Sequence, residues 1–274
     1  MQLVLAAVLG VVQGLTEFLP VSSTAHLVLF PWAFGIDDPL LDSLTFDVAL
    51  HLGTLVALLV YFRSDWLNLV RAFFSSVKNR SISAPDERLV WLIAAATLPA
   101  GILGALFEKK VETVLRSPLV IAAALFVVGI IMIIAERQAA RLSKARETVD
   151  MTLPHALYIG FAQAAALVPG VSRSGATITA GLFAGYNRSA AARFSFLLST
   201  PIIAGAAILK LRHVFSGLPA GEGEIFLVGI GASAVSGYMA IAFLMDYLKR
   251  RPLNVFAYYR VLLAAAITGV YFLK

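Results

Sequence analysis

The chain has 274 residues, 59% of them hydrophobic and 14% charged, with a mean hydropathy of +0.85 and a net charge of +6. That is more apolar side chain than a soluble domain of this length can hide, which points to a bilayer. Cysteine is absent, excluding a disulfide framework and a cysteine-based zinc site.

In chain order, the first apolar run lasts only about a dozen residues, roughly 18 Å of helix, before Gln13. No Lys or Arg precedes Arg63, so the basic start of a cleaved signal peptide is missing and residues 1–30 are expected to stay in the mature protein. A polar cluster, QGLTEFLPVSSTAH, follows from Gln13 to His26, with Pro20 breaking the run. Stretches near 46–62, 89–107 and 118–135 each approach the ~20 residues that cross a ~30 Å hydrocarbon core. A second polar cluster, QAAALVPGVSRSGAT, runs from Gln163 to Thr177, and further spans are predicted near 194–211, 225–247 and 253–273. Irregular backbone at membrane depth is tolerated only where protein buries it or it lines a cavity. Both clusters are therefore predicted to be re-entrant helix-loop-helix hairpins. The predicted fold is an all-α integral membrane protein, a single domain over 1–274 with six transmembrane helices and two such hairpins.

Orientation follows from the basic residues. Alternating the six spans puts the loops 63–88, 136–154, 184–193 and 248–252 on one side with fourteen Lys or Arg. Lys109, Lys110, Arg116, Arg212 and Lys274 fall on the other. The positive-inside rule makes the first side cytoplasmic and leaves both termini outside. The net charge is then a matter of orientation and gives no reason to invoke nucleic acid.

The two polar clusters lie 150 positions apart, and at that offset Ala6, Gly10, Gln13, Val21 and Ser22 match Ala156, Gly160, Gln163, Val171 and Ser172. An odd number of spans per half inserts the second copy upside down. The expected arrangement is an inverted-topology repeat, with repeat 1 about 1–135, repeat 2 about 155–274 and a cytoplasmic linker at 136–154. Broken helices at corresponding positions of such repeats meet near the midplane and build the site.

The copies differ where chemistry is carried: Glu17 aligns with Leu167, and Ser23 with Arg173. An intramembrane carboxylate is costly enough to read as functional. Arg173 sits between Ser172 and Ser174, behind Gly170 and ahead of a half-helix containing Thr177. A guanidinium fork flanked by hydroxyls at a helix N-terminus is a phosphate cradle. The plainer alternative is an Arg173–Glu17 pair that only holds the halves together, which would also serve as the resting state of a site. One Arg cannot neutralise a diphosphate beside a repelling Glu, so a divalent cation, Mg²⁺ or Ca²⁺, is expected on Glu17 with Gln13, four residues earlier on the same helical face. Without a cation, Glu17 is a general base. Elsewhere, a local His51–Asp47 pair and an Asp246–Arg260 pair are expected to serve packing. Gly10-x-x-x-Gly14 and Gly181-x-x-x-Gly185 allow close helix packing and are weak grounds for a homodimer.

The run QGLTEFLPVSSTAH together with PGVSRSGAT resembles the two signature segments of the undecaprenyl-diphosphate phosphatases, the BacA-type family associated with bacitracin resistance. The resemblance implies hydrolysis of undecaprenyl diphosphate to undecaprenyl phosphate and inorganic phosphate in the bacterial cytoplasmic membrane, recycling a lipid carrier for cell-wall synthesis, with a divalent cation. The family's two acidic positions fall on Gln13 and Glu17, where many members have Glu at the first. Its Ser-rich stretch falls on Ser22, Ser23, Thr24 and His26, and its arginine motif on Ser172, Arg173, Ser174 and Thr177. Glu17, Ser23, His26 and Arg173 are then the catalytic candidates. Ser23 is the favoured nucleophile, with His26 placed to move a proton, and direct attack by water stays open. The partners expected are a polyprenyl diphosphate and membrane lipids, with the site opening on the outer face. A flippase or transporter for a lipid phosphate is the rival, because inverted repeats with broken helices are common in transporters.

Overall fold

The computed structural model describes residues 1–35, 38, 40, 41, 43–115, 117–216 and 223–273. Arg116 and Lys274, counted above with the less basic side, fall outside them, as do the side chains of Lys109, Lys110 and Arg212.

Helices start where the sequence supplies caps and stop where it supplies breakers. The first two, α1 (Gln2–Phe18) and α2 (Ser23–Phe34), are separated by the turn containing Pro20. Next come α3 (Leu44–Tyr61), whose Ser43 cap accepts the Phe46 N–H at 3.1 Å, and α4 (Arg63–Asn79). They are followed by α5 (Pro85–Val114) and α6 (Pro118–Ala139), the latter with Pro in its first turn behind the Ser117 cap. A single 3₁₀ turn at Thr148–Asp150 leads to α7 (Leu153–Ala165) and α8 (Arg173–Phe183). The chain closes with α9 (Arg188–Ser216), α10 (Gly223–Tyr247) and α11 (Asn254–Leu273). No strand occurs among the described residues, only an isolated bridge between Arg146 and Tyr186.

Among the described residues five helices are long and apolar enough to cross a membrane, drawn from α5, α6, α9, α10 and α11, and a sixth span results if α3 and α4 count as one bent pair. The segment 63–88, read as a loop from its basic residues, is largely helix: α4 leaves α3 at 79°. Its Leu69 is buried while Leu67, Val70, Phe74 and Val77 are exposed, so apolar side chains line both its inner and outer faces. Trp91 of α5 donates its indole N–H to Ser76 at 3.0 Å and ties α4 down.

The packing crosses the halves of the chain. Helix α1 lies against α10, and α7 against α5. Both contacts rest on a glycine, since a Cβ at Gly10 would sit 2.5 Å from the Gly229 carbonyl oxygen and one at Gly160 would meet the backbone of Ala96. The small residues of Gly10-x-x-x-Gly14 are thus spent inside the chain, Gly14 on Ser233 and Ser236 of α10, and Gly181 packs on Ala191 of α9. Helix α3 lies on α9 and α10, α9 also on α5, and α6 on α11. Glu136, only 3% exposed, accepts both Nε and a terminal nitrogen of Arg188 at 2.6–3.0 Å and the Leu253 N–H at 2.8 Å, joining the ends of α6, α9 and α11. Asp246 does not reach Arg260. It is exposed and pairs with Lys249 at 3.3 Å, a lysine one helical turn away on the surface.

Candidate active site

The breaks between α1 and α2 and between α7 and α8 come together. Ser174 Oγ donates to the Leu19 carbonyl across them at 3.2 Å. Both turns reverse the backbone at a serine in the left-handed region, Ser22 with φ 78° and Ser172 with φ 69°, the two positions matched at the 150-residue offset. Each serine caps the helix it introduces: Ser22 Oγ accepts the Ala25 N–H at 3.4 Å and Ser172 Oγ the Gly175 N–H at 3.2 Å. A non-glycine residue there is strained and is retained where the surroundings demand it. Two helix N-termini, α2 and α8, begin at this junction with their free first-turn N–H groups and positive dipole ends.

Glu17, 8% exposed in the last turn of α1, is the hub. Its Oε1 accepts a terminal nitrogen of Arg173 at 2.5 Å. Its Oε2 accepts Ser23 Oγ at 2.5 Å and Gln13 Nε2 at 3.2 Å, with His51 Nε2 at 3.8 Å. The expected meeting of an acid from one half with a guanidinium from the other is therefore made directly, and Ser23 is poised on the carboxylate. Arg173 also donates to the Ser199 carbonyl at 3.4 Å, which leaves most of its five N–H donors unspent.

The other sequence candidates are placed unevenly. Thr24 lies half-buried on the first turn of α2 and Ser172 in the second turn, both at the junction. Ser174 joins the two turns as described. Thr177 is fully buried, donates to the Arg173 carbonyl at 2.8 Å and lies 2.5 Å from Ser195 Oγ, so it fastens α8 to α9. Gly170, at φ +94°, makes a close approach to α6, where a Cβ would be 2.6 Å from the Ile121 carbonyl oxygen. His26 does not reach Ser23. Its Nδ1 lies 2.7 Å from the Ser22 carbonyl and its Nε2 2.7 Å from the Tyr259 hydroxyl, with the two rings stacked 5.8 Å apart. A carbonyl only accepts, so the neutral ring carries its proton on Nδ1 and Nε2 accepts from Tyr259.

Sequence reasoning missed three residues. His51, assigned to a local pair with Asp47, does bond the Asp47 carbonyl through Nδ1 at 2.7 Å, but its other nitrogen faces Glu17. Tyr259 and Arg260 of α11 reach the junction from more than 200 positions away, a separation no local pattern reports.

Gln13 decides whether these residues fit a divalent cation. Its Oε1 is buried without a hydrogen-bond partner beside the Glu17 carboxylate, an orphaned acceptor of the kind a hard cation takes. No group of three His, Cys, Asp or Glu converges among the described residues. Two oxygen-bearing side chains suffice for a cation that completes its shell with phosphate and water.

Residues 6–266 match the family described as bacitracin resistance protein BacA. The undecaprenyl-diphosphatase of Rubrobacter xylanophilus is 50% identical over 98% of both chains, and that of Moorella thermoacetica 48% identical over 98% of both. The undecaprenyl-diphosphatase of Pelobacter propionicus is 47% identical over 98% of this chain and 97% of its own. A match spanning nearly the whole sequence and both polar turns identifies the chain as a member of the bacitracin resistance protein BacA family.

Proposed function

We propose that the chain hydrolyses undecaprenyl diphosphate to undecaprenyl phosphate and inorganic phosphate, at the junction of the two turns. The observation that carries this reading is the Ser23–Glu17–Arg173 array, a hydroxyl on a carboxylate beside a guanidinium at two helix N-termini. The lipid diphosphate draws Arg173 off Glu17 and onto its phosphoryl oxygens, where charge builds up in the transition state. Ser23 Oγ then attacks the terminal phosphorus as Glu17 takes its proton. The new O–P bond forms while the bond from phosphorus to the bridging oxygen breaks, and undecaprenyl phosphate leaves. Glu17 passes that proton to the leaving undecaprenyl phosphate, then takes one from the water that cleaves the serine phosphate and returns it to Ser23 Oγ as inorganic phosphate is released. The short Ser23–Glu17 contact favours this route over direct attack by water. The relatives bear the name of a hydrolase, which does not favour the transporter reading.

Glu17 and Gln13 would hold the divalent cation, Mg²⁺ or Ca²⁺. When bound it supplies positive charge that offsets repulsion between Glu17 and the diphosphate. The expected result with purified protein in detergent is phosphate release from a polyprenyl diphosphate that a chelator suppresses and added Mg²⁺ or Ca²⁺ restores. Turnover indifferent to chelation would remove the cation from the site.

The finer architecture belongs to the same reading: six spans, two re-entrant hairpins and an inverted repeat joined by the linker 136–154. Exchanging α1 with α7, α2 with α8, α3 with α9, α10 with α5 and α6 with α11 carries several of the packed pairs onto one another. The α1 on α10 contact becomes α7 on α5, α3 on α10 becomes α9 on α5, and α6 on α11 maps onto itself. Three spans per half then set the copies antiparallel in the cytoplasmic membrane, with termini and site opening on the outer face. The absence of cysteine makes orientation simple to measure. In intact cells or spheroplasts, a membrane-impermeant maleimide is expected to label Glu224→Cys, and Lys144→Cys only after lysis; the reverse pattern would invert the topology.

A further inference from the structure

Arg260 is a fully buried arginine in α11 that no carboxylate meets among the described residues. All of its acceptors are backbone carbonyls. One terminal nitrogen donates to Pro20 at 3.3 Å, the other to Gly170 at 2.8 Å, Val171 at 3.0 Å and Ala124 at 3.5 Å, and Nε to Leu125 at 3.3 Å. Pro20 belongs to the first turn and Gly170 and Val171 to the second. One rigid fork thus bonds both turns at once and fastens them to α6.

Helices α1 and α7 run into the junction with their C-terminal ends, and the turns themselves bond their last carbonyls, Leu15 accepting the Leu19 N–H and Gln163, Ala164 and Ala165 those of Ala166, Leu167 and Val168. Helices α2 and α8 leave it with their attractive N-terminal ends. Arg260 takes the turn carbonyls that precede α2 and α8, and its guanidinium lies against the first turn of α8, where a Cβ on Gly175 would be 3.3 Å from it. A buried cation is tolerated where its donors are satisfied, and here the satisfying bonds are the ones that tie the two turns together.

Resting on the reading of the junction as a phosphoryl-transfer site, we infer that Arg260 is a positioning residue. It locks the turn between Glu17 and Ser23 in register with the turn that leads to Arg173. It does not touch substrate. Its loss lets nucleophile and phosphate cradle drift apart, which harms the transition state more than binding, because the lipid tail anchors the substrate independently.

Two measurements test this. In the first, Arg260→Met is expected to lower kcat per folded molecule about 100-fold with KM within about threefold of wild type, and Arg260→Lys to recover part of the loss, since an ammonium keeps the charge without the planar fork. In the second, spin labels on Thr24→Cys and Val168→Cys, one near each turn, should show a narrow distance distribution that broadens in Arg260→Met. Unchanged distances, a kcat for Arg260→Met within about threefold of wild type, or an Arg260→Lys variant no more active than Arg260→Met would overturn the role. Failure of both variants to fold would also overturn it, making Arg260 a folding residue only. Because the distances are read without turnover, an inactive wild type would defeat the phosphatase reading and still leave the clamp decided.

Discussion

Replacing Arg173 with alanine is expected to lower kcat/KM for a polyprenyl diphosphate by about 10³–10⁵, the range an arginine commands when it stabilises a transferring phosphoryl group. The same change leaves Glu17 buried without its counter-charge, and breaking a buried pair from one side costs about 3–5 kcal/mol of stability. The two losses separate in a double variant. Arg173→Ala with Glu17→Gln should regain much of the melting temperature in detergent, because an amide needs no counter-ion, yet recover no turnover. Arg173→Lys should keep most of the stability and little of the activity, since a point charge does not reproduce a fork that bonds Glu17 at rest and phosphate oxygens in the reaction. Near-wild-type phosphate release by either single variant would show that the guanidinium only holds the halves of the chain together.

The second large effect concerns the hydroxyl and its carboxylate. Ser23→Ala and Glu17→Gln should each lower kcat by about 10²–10⁴, the contribution of a positioned base or nucleophile. Because the two are bonded at 2.5 Å and act in one proton transfer, the Ser23→Ala, Glu17→Gln double variant should fall no lower than the worse single one. Independent roles would instead multiply the losses. Rapid acid quenching of the wild type with substrate labelled in its terminal phosphate should trap label on the protein. No trapped label, with only about a tenfold loss in Ser23→Ala, would favour direct attack by water, with Ser23 reduced to a hydrogen-bond donor.

Much of this site can be read in the chain itself, because the duplication places chemically distinct residues at matched positions. The offset of 150 aligns Ser22 with Ser172, and the structure gives both serines a positive φ and the same capping role. The meeting of Glu17 with Arg173 follows from the same alignment. Contacts made by helices remote in sequence are not legible that way. His51, Tyr259 and Arg260 sit in apolar spans whose spacing says only that they are helical, and which neighbour each one faces depends on how α3 and α11 pack. His26 illustrates the limit: its position three residues after Ser23 pointed to a proton exchange between them, but helical rotation turns its ring toward α11. Thr177 follows the same logic in α8, one turn beyond Arg173 and turned into α9. The helix α4 was hidden for a different reason. Its basic residues read as a solvated loop, whereas it is a helix bent 79° from α3 that exposes Leu67, Val70, Phe74 and Val77 beside those charges.

The left-handed serines bear on how far this protein can be improved as a material. Glycine at 22 or 172 would relax a positive-φ backbone that costs an ordinary residue about 1–3 kcal/mol, so a search for heat-resistant variants should select it readily. Such a winner would surrender the hydroxyl that fixes where the following helix begins, and with it the aim of the amide dipoles at that junction. Robustness and catalytic competence are set against each other at two matched peptide units, and a variant library scored only on survival would drift toward durable, inert protein.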